Sequence, residues 1–227
     1  MKRSPNRVPK MKLIDRFLNA VFPEKAACIS CGREAVLNGS YLCADCEVGV
    51  ERFVSAPVLA KVDGYTAVYI YNDVSGRMIK RLKYNNAKFI AKPLSESIEI
   101  PEDWEIDAVV PVPLHSRRVR DRGYNQSELI AKHLCRRLGL NMDTDLLKRV
   151  SDTKQQAKLS PAARLRNLKG AFRTSEDCTG KRVLLIDDVR TTGATLYECA
   201  SELKKGGCAK VYAATVCFAK GDKGGSV

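Results

Sequence analysis

The chain has 227 residues, of which 44% are hydrophobic, so it is long enough for one α/β domain with a small appended module. Lys and Arg outnumber Asp and Glu by 39 to 26, a formal net charge of +13, which favours polyanionic partners such as nucleic acid, a phosphorylated substrate or anionic lipid. No apolar run approaches the roughly 20 residues that span a bilayer, and the first residues do not read as a signal peptide. We therefore expect a cytoplasmic protein without a membrane span.

The first residues predict two features ahead of the body of the protein. Residues 1–10 are rich in Lys and Arg and indicate a flexible basic arm. Residues 11–21 carry apolar side chains at helical spacing, which predicts a short amphipathic helix that ends before Pro23. The predicted division of the chain is a basic arm over 1–10, the helix with a cysteine-rich module over 11–60, the main domain over 61–220 and a disordered tail over 221–227.

Four of the nine cysteines form two CxxC pairs separated by eleven residues, Cys28 with Cys31 and Cys43 with Cys46. Four thiolates at this spacing can close a tetrahedral zinc site, and a metal held by four protein ligands is structural. A reducing compartment disfavours disulfides, and a redox CxxC is disfavoured because no βα unit follows. Iron also fits four thiolates, but a closed structural site favours zinc.

Residues 64–92 carry the candidates for nucleic-acid contact. Residues 64–71 alternate as in a strand and put three tyrosines on one face, where they either stack on bases or, as in most strands, pack against a neighbouring strand. A basic amphipathic helix follows, and its charges are either a solvated face or a surface for a phosphate backbone. The candidate DNA-binding residues are Arg77, Lys80, Arg81, Lys83 and Lys88.

A pyrophosphate site is predicted after the next strand. Residues 106–112 read as a buried strand that Pro111 and Pro113 limit in length. The following segment is rich in arginine, and bidentate guanidinium groups suit pyrophosphate. Asn125 is expected to cap a helix that runs to Leu138. The candidate pyrophosphate ligands here are Arg117, Arg118, Arg120 and Arg122.

The most informative stretch is residues 182–195. Val183 to Ile186 form a continuous apolar run, which predicts a strand buried on both faces, and two aspartates follow directly. A turn then leads into a helix that stops at Gly206. Such a turn presents backbone N–H groups and the positive end of the helix dipole to an anion, and Gly193 permits a close approach. The residues of this predicted anion site are Arg190, Thr191, Thr192, Gly193, Ala194 and Thr195.

The carboxylates of Asp187 and Asp188 suit sugar hydroxyls or Mg²⁺, so a phosphate cradle beside them describes a ribose 5-phosphate site. An ordinary βα turn is one alternative. The acidic pocket of a response-regulator receiver is another, but it is disfavoured because about 180 residues precede the pair. The stretch resembles the phosphoribosyl pyrophosphate (PRPP) motif of the type I phosphoribosyltransferases.

The combination of motifs resembles the ComF family of competence proteins. It consists of the four-cysteine module, Val-Pro-Val-Pro at 110–113, Arg-Asp-Arg-Gly-Tyr-Asn-Gln at 120–126 and Asp-Asp-Val-Arg-Thr-Thr-Gly-Ala-Thr at 187–195, and the resemblance covers roughly residues 12–220. Alternating strands and helices predict an α/β fold with a mostly parallel sheet flanked by helices, with the ligand at the carboxyl ends of the strands. The resemblance implies a type I phosphoribosyltransferase-like domain behind a small Cys₄ zinc-binding domain.

The resemblance also implies roles for the site residues. Asp187 and Asp188, as the catalytic pair, would contact the ribose hydroxyls, and the turn at 190–195 would hold the 5-phosphate. The arginines of 117–122 would face Mg²⁺-pyrophosphate. A mobile lid would close over the pyrophosphate with Lys154, Lys158, Arg164 and Arg166.

Three functions follow from these features. The first, which the resemblance to the ComF family implies, is a protein of natural transformation that binds incoming single-stranded DNA and carries a PRPP-binding domain. The second is an active phosphoribosyltransferase, although nothing in the sequence identifies a base pocket. The third is a PRPP-sensing module that works with a DNA-uptake helicase or channel protein.

Overall fold

The computed structural model describes residues 25–37, 39–57, 59–84, 87–151, 168–174 and 178–220. Several sequence predictions lie outside these residues: the basic arm, the helix over 11–21, the lid residues Lys154, Lys158, Arg164 and Arg166, and the tail from residue 221. Within the described ranges, no helix combines the length and the apolar character that crossing a membrane requires.

The described residues contain eight strands and six α-helices, with a 3₁₀ turn at Lys88–Ile90. In chain order they are β1 (Lys25–Ala27), β2 (Glu34–Val36), α1 (Ala44–Val48), β3 (Gly64–Ile70), α2 (Asp73–Tyr84), α3 (Ala91–Glu96), β4 (Ala108–Pro111), α4 (Ser116–Arg122), α5 (Gln126–Leu138), β5 (Leu147–Arg149), β6 (Phe172–Thr174), β7 (Arg182–Arg190), α6 (Ala194–Lys205) and β8 (Lys210–Phe218).

A four-stranded parallel sheet with the strand order β3-β8-β7-β4 forms the centre of the fold. Strands β1 and β2 pair antiparallel within the cysteine module, and β5 pairs antiparallel with β6. All four central strands end at the same edge of the sheet because they are parallel. The predicted α/β fold with a mostly parallel sheet flanked by helices is confirmed.

The apolar run of β7 is continuous because both faces of the strand are buried. Leu184 and Ile186 pack in a core that also contains residues of α2 and α5, whereas Val183 and Leu185 pack in a second core with residues of α6. All four side chains are fully buried. Helices on both faces leave the carboxyl-terminal edge of the sheet as the open place for a ligand.

The structure corrects one local prediction and adds one helix. Strand β7 continues through Arg190, so the aspartates lie within the strand rather than after it; Asp187 is paired with Thr215 of β8. The arginine-rich segment forms α4. His115 caps this helix by accepting a hydrogen bond from the Arg117 N–H, and Gly123 ends it with a positive φ of 82°. The predicted helices over 126–138 and from 196 to Gly206 are confirmed.

The cysteine module packs against α2. The Ser30 hydroxyl donates to the Val74 carbonyl at 2.8 Å, and Arg81 Nη1 donates to the Cys28 carbonyl at 2.6 Å. Gly49 also lies against Val74. Helix α2 is therefore shared between the module and the parallel sheet.

Candidate functional site

A cleft of about 880 Å³ opens at the carboxyl-terminal edge of the sheet. Its volume lies in the range of small-molecule binding sites. The side chains around it come from α2, α4, α5, β7 and the start of α6, and the acidic pair of β7 lies among them. The lining residues used below are Lys80, Lys83, Tyr84, Arg118, Arg122, Gln126, Asp187, Asp188, Thr191 and Thr195.

The two aspartates have different partners. The Ser127 hydroxyl donates to Asp187 Oδ1 at 2.8 Å, and the backbone N–H of Asp188 donates to the same oxygen at 2.9 Å. Asp188 Oδ2 lies 2.5 Å from Lys83 Nζ, and Gln126 Nε2 donates to Asp188 Oδ1 at 3.3 Å. Both carboxylates are buried, so their charges are stabilised by these specific partners rather than by water.

The different partners give the two carboxyl groups opposite pKa shifts. Burial, reinforced by the neighbouring Asp188 charge, raises the pKa of Asp187 to about 7, against the opposing effect of Lys83. Burial acts the same way on Asp188, but the ion pair with Lys83 outweighs it and lowers the pKa of that carboxyl. The cleft therefore holds one carboxylate that is firmly charged and one that titrates near neutral pH.

The turn between β7 and α6 depends on Gly193. This residue has a φ of 81°, and its carbonyl accepts the Tyr197 N–H at 2.8 Å, so it starts the helix in a left-handed conformation. A Cβ at this position would lie 2.5 Å from Leu59 Cδ2. Thr191 and Thr195, on either side of the turn, line the cleft.

We expect Gly193→Ala to damage the site more than a comparable glycine substitution elsewhere. Positive φ costs a non-glycine residue about 1–2 kcal/mol, and the contact with Leu59 adds to this by displacing the turn. Gly139→Ala is the matched control, since Gly139 has a φ of 68° but nothing within 4 Å of an added Cβ. Urea unfolding of both variants should give a larger loss for Gly193→Ala; equal losses would contradict the steric role of Leu59.

Arg190 lies away from the cleft. Its guanidinium is 4.3 Å from the centroid of the Tyr65 ring and 5.2 Å from that of Phe218, and its Nη2 donates to the Pro57 carbonyl at 2.7 Å. Only 5% of the residue is exposed. Of the six residues that the sequence assigned to the anion site, Thr191 and Thr195 line the cleft, whereas Arg190 holds the segment before β3 against the end of β7.

The predicted pyrophosphate ligands divide between two environments. Arg118 and Arg122 line the cleft, whereas Arg117 and Arg120 do not. The Arg122 guanidinium donates to the Gln126 side chain, which in turn contacts Asp188. Asn125 caps α5 as predicted, because its side chain accepts the Ser127 N–H at 3.1 Å.

The five predicted DNA-binding residues do not form a single open face. Arg77 contacts Ser30 Oγ at 3.3 Å and Arg81 bonds to the cysteine module, while Lys83 faces Asp188 inside the cleft. Lys80 lines the cleft, and Lys88 lies over an aromatic ring beside it. Of the tyrosines on β3, Tyr69 is buried. Its ring therefore packs inside the protein rather than being available to stack on bases.

Sequence reasoning missed the contacts that three residues make with the acidic pair. It predicts Lys83 as a DNA contact and assigns no site role to Gln126 or Ser127. Their contacts with the acidic pair join parts of the chain 60 or more residues apart. The N-terminus of a helix that follows a parallel strand lies at the edge of the sheet where ligands bind. The polar Gln-Ser pair after Asn125 could therefore have indicated side chains that reach the site.

The four cysteines of the two CxxC pairs lie together. Their sulfur atoms are all within 4.8 Å of one another, and the Cys31 and Cys43 sulfurs are 3.7 Å apart. Tetrahedral zinc with bonds of about 2.3 Å requires sulfur atoms about 3.8 Å apart, so this donor set fits a metal ion. Burial opposes ionisation of Cys31, but a hydrogen bond from Arg33 outweighs it and lowers the pKa of that thiol to about 6.

Each cysteine pair is closed by the same backbone contact. The Gly32 N–H donates to the Cys28 carbonyl at 2.9 Å, and the Glu47 N–H donates to the Cys43 carbonyl at 2.9 Å. Gly32 needs a φ of 81° for this turn, whereas Glu47 achieves it inside α1. The second pair therefore needs no glycine at the position after it, which Glu47 occupies, because the helix supplies the turn.

Comparison with known proteins agrees with this arrangement. A family model described as phosphoribosyl transferase domain matches residues 124–226. Competence protein ComFC of Bacillus subtilis is 30% identical over 197 residues, which cover 83% of this chain and 76% of that protein. The chain belongs to the ComF family.

Other relatives match over shorter regions. DNA utilization protein YhgH of Salmonella typhi is 42% identical to this ComF family protein over 111 residues, which cover 49% of each chain. The match thus spans about half the length of that relative. Among solved structures, glutamine PRPP amidotransferase from B. subtilis aligns with 56% of this chain and 25% of its own, at 19% identity and a TM-score of 0.37.

Proposed function

We propose that this ComF family protein binds Mg²⁺-PRPP in the cleft and single-stranded DNA on its basic surface, in the cytoplasm of a cell that takes up DNA. The observation that carries the proposal is the placement of Asp187 and Asp188 beside the Gly193 turn, at one edge of the parallel sheet. Carboxylates that accept ribose hydroxyls and a helix N-terminus that receives a phosphate are the two parts that a phosphoribosyl ligand needs.

We assign each part of PRPP to residues of the cleft. The 5-phosphate would lie at the turn between Thr191 and Thr195, and the ribose hydroxyls would donate to the acidic pair. Arg118 and Arg122 would receive the pyrophosphate, with Lys158 of the predicted lid outside the described residues. Mg²⁺, when bound with the ligand, would neutralise pyrophosphate charge. The protein's own contribution is to orient the ribose and to hold the leaving group with fixed positive charges.

Single-stranded DNA is the proposed macromolecular ligand. The formal net charge of +13 supports a polyanionic partner, and relatives are named for competence and DNA utilization. The candidates Lys80 and Lys88 have exposed side chains suited to phosphate contacts. A DNA-uptake helicase or channel protein is a proposed partner, and we assign the four cysteines to a structural zinc ion that stabilises the module against α2.

A second candidate function is phosphoribosyl transfer to a base or to a nucleic-acid end. It is favoured by the apolar and aromatic side chains in the same cleft, Tyr71, Ile79 and Tyr84, which suit a planar acceptor. In this reaction the bond from C1 of the ribose to pyrophosphate breaks and pyrophosphate leaves. A base nitrogen, or a hydroxyl oxygen at a nucleic-acid end, forms the new bond to C1, and the acceptor loses a proton.

Isothermal titration calorimetry with Mg²⁺-PRPP tests the first proposal. We expect PRPP to bind more tightly than either ribose 5-phosphate or pyrophosphate, because it alone fills both anion sites. Asp188→Asn should weaken PRPP but leave pyrophosphate binding nearly unchanged, and Asp45→Asn, an exposed carboxylate in the cysteine module, serves as the control. Equal affinity for PRPP and pyrophosphate would contradict the assignment of the acidic pair to ribose.

The raised pKa of Asp187 predicts a pH dependence of PRPP binding. Ribose hydroxyls donate to the carboxylate form, so binding near pH 6.5 should expel the proton that Asp187 holds below its pKa of about 7. Affinity should therefore fall as the pH decreases from 7 to 6, by up to about tenfold for one proton. Titrations in buffers of different ionisation enthalpy measure the proton release, and Asp187→Asn gives the baseline due to the ligand's own phosphates. The same release in wild type and variant would refute the prediction.

The second candidate is tested by release of pyrophosphate in the presence of free bases and of short oligonucleotides. Turnover that Asp188→Asn abolishes would support transfer chemistry. Binding of PRPP without pyrophosphate release for any acceptor would favour a binding domain.

A further inference from the structure

Two large aromatic side chains project into solvent beside the cleft. Tyr84, at the end of α2, is 73% exposed, and Phe89, in the following 3₁₀ turn, is 58% exposed. Aromatic rings that are exposed this far present open faces on which a planar group can stack. Tyr84 lines the cleft, whereas the Phe89 ring lies beside Arg81, which bonds to the cysteine module.

A cationic group lies over each of these rings and over a third one nearby. The Arg122 guanidinium is 5.5 Å from the centroid of the Tyr84 ring, and the Arg81 guanidinium is 6.0 Å from that of Phe89. Lys88 Nζ is 5.1 Å from the centroid of Tyr124. We call Tyr84, Phe89 and these three cations the aromatic–basic ridge.

The ridge is continuous with the cleft. Tyr84 and Arg122 line the cleft directly, and so does Tyr124, whose ring lies under Lys88. Lys80, one helical turn before Tyr84, adds another exposed positive charge at the cleft. Alternating rings and cations are complementary to a ligand that alternates planar apolar groups with negative charges.

We propose that the aromatic–basic ridge binds single-stranded DNA by stacking bases on Tyr84 and Phe89, while the exposed ammonium groups of Lys88 and the adjacent Lys80 contact the phosphates. Every base has a face that stacks on an aromatic ring, so such a surface binds single strands with little sequence preference. A duplex keeps its bases stacked inside and offers only its backbone. The inference rests on the DNA-binding part of the proposed function and assigns to it the surface and the mode of contact.

Fluorescence anisotropy with two labelled oligonucleotides of equal length, oligothymidine and an abasic strand, tests the proposal. Both carry the same phosphates, so the difference between their affinities reports base stacking. We expect wild-type protein to prefer oligothymidine, and Phe89→Ala and Tyr84→Ala each to weaken its binding about five- to hundredfold while leaving the abasic strand nearly unaffected. Phe89→Trp should restore binding. Val54→Ala, an exposed hydrophobic residue of the segment before β3, is the control.

A salt series separates stacking from charge. Lys88→Ala should weaken both oligonucleotides and lower the slope of log affinity against log salt by about 1, whereas Phe89→Ala should leave that slope unchanged. Equal wild-type affinity for the two oligonucleotides would contradict base stacking on the ridge. Unchanged binding of oligothymidine by both alanine variants would contradict it as well. Neither result would count against DNA binding itself. If wild-type protein binds neither oligonucleotide at low salt, the DNA part of the proposed function fails as well. Thermal melting confirms that the variants are folded.

Discussion

Replacing Lys83 with methionine is expected to be among the most destabilising single changes in the described chain. The Lys83 ammonium lies 2.5 Å from Asp188, whose side chain is 4% exposed, so the variant leaves a buried carboxylate without its counter-charge. Removing one member of a buried ion pair costs about 3–5 kcal/mol. Urea unfolding at pH 7 measures the loss, and Lys80→Met, on the same helix but exposed, should cost far less.

The loss should depend on pH in a defined direction. In the wild type the ion pair lowers the pKa of Asp188, so its contribution to stability is present above the unfolded value of about 3.9 and is lost as the pH falls. In Lys83→Met the buried carboxyl has a raised pKa and is least costly when protonated. The two proteins should therefore differ most near neutral pH and converge towards pH 4.

A double variant separates the charge from the packing of the lysine chain. Lys83→Met with Asp188→Asn removes both charges and should recover most of the stability that the single variant loses. A double variant as unstable as Lys83→Met would mean that the aliphatic part of Lys83, not its charge, supports the fold.

Replacing Cys46 with alanine is expected to abolish metal binding by the cysteine module and to unfold residues 25–48. The described residues of the module form two short strands and a helix of one turn, so we expect metal coordination, worth on the order of 10 kcal/mol in comparable modules, to be its main source of stability. Cys135→Ala is the matched control because Cys135 is also buried but lies on α5, outside the cluster.

Elemental analysis and hydrogen exchange provide the measurements. Wild type and Cys135→Ala should carry one metal ion per chain, and Cys46→Ala should carry none. Backbone amides of residues 25–48 should exchange rapidly in Cys46→Ala while those of β7 and β8 stay protected. Slow amide hydrogen exchange in the module of a metal-free variant would show that packing on α2 is enough to keep the module folded without the metal.

The elements predicted best from the sequence are those that local patterns determine. The apolar run ending in Asp187, the Gly193 turn and the following helix are contiguous, so their order alone indicates the site. The two CxxC pairs can also be identified from a local pattern, because a metal cluster requires particular ligand types at a fixed spacing, whatever sequence surrounds them.

The sequence does not reveal a residue's contacts where these depend on distant parts of the chain. The amphipathic pattern of α2 identifies Lys83 as polar but cannot reveal that it meets Asp188, which belongs to a strand about a hundred residues later. Arg190 is only two residues after Asp188, yet it lies against Tyr65 of β3 and Phe218 of β8. The alternation of side chains along a strand predicts which residues share a face, but the groups that these residues contact depend on the tertiary fold.

The segment before β3 limits where the boundary between the cysteine module and the main domain can be placed. Leu59 lies against Gly193 at the turn between β7 and α6, and the Pro57 carbonyl accepts a hydrogen bond from Arg190. A truncated chain beginning at residue 61 would lack both supports. Any exchange of the cysteine module between relatives would therefore have to carry this segment, together with its matching surface on β7, as one inherited unit.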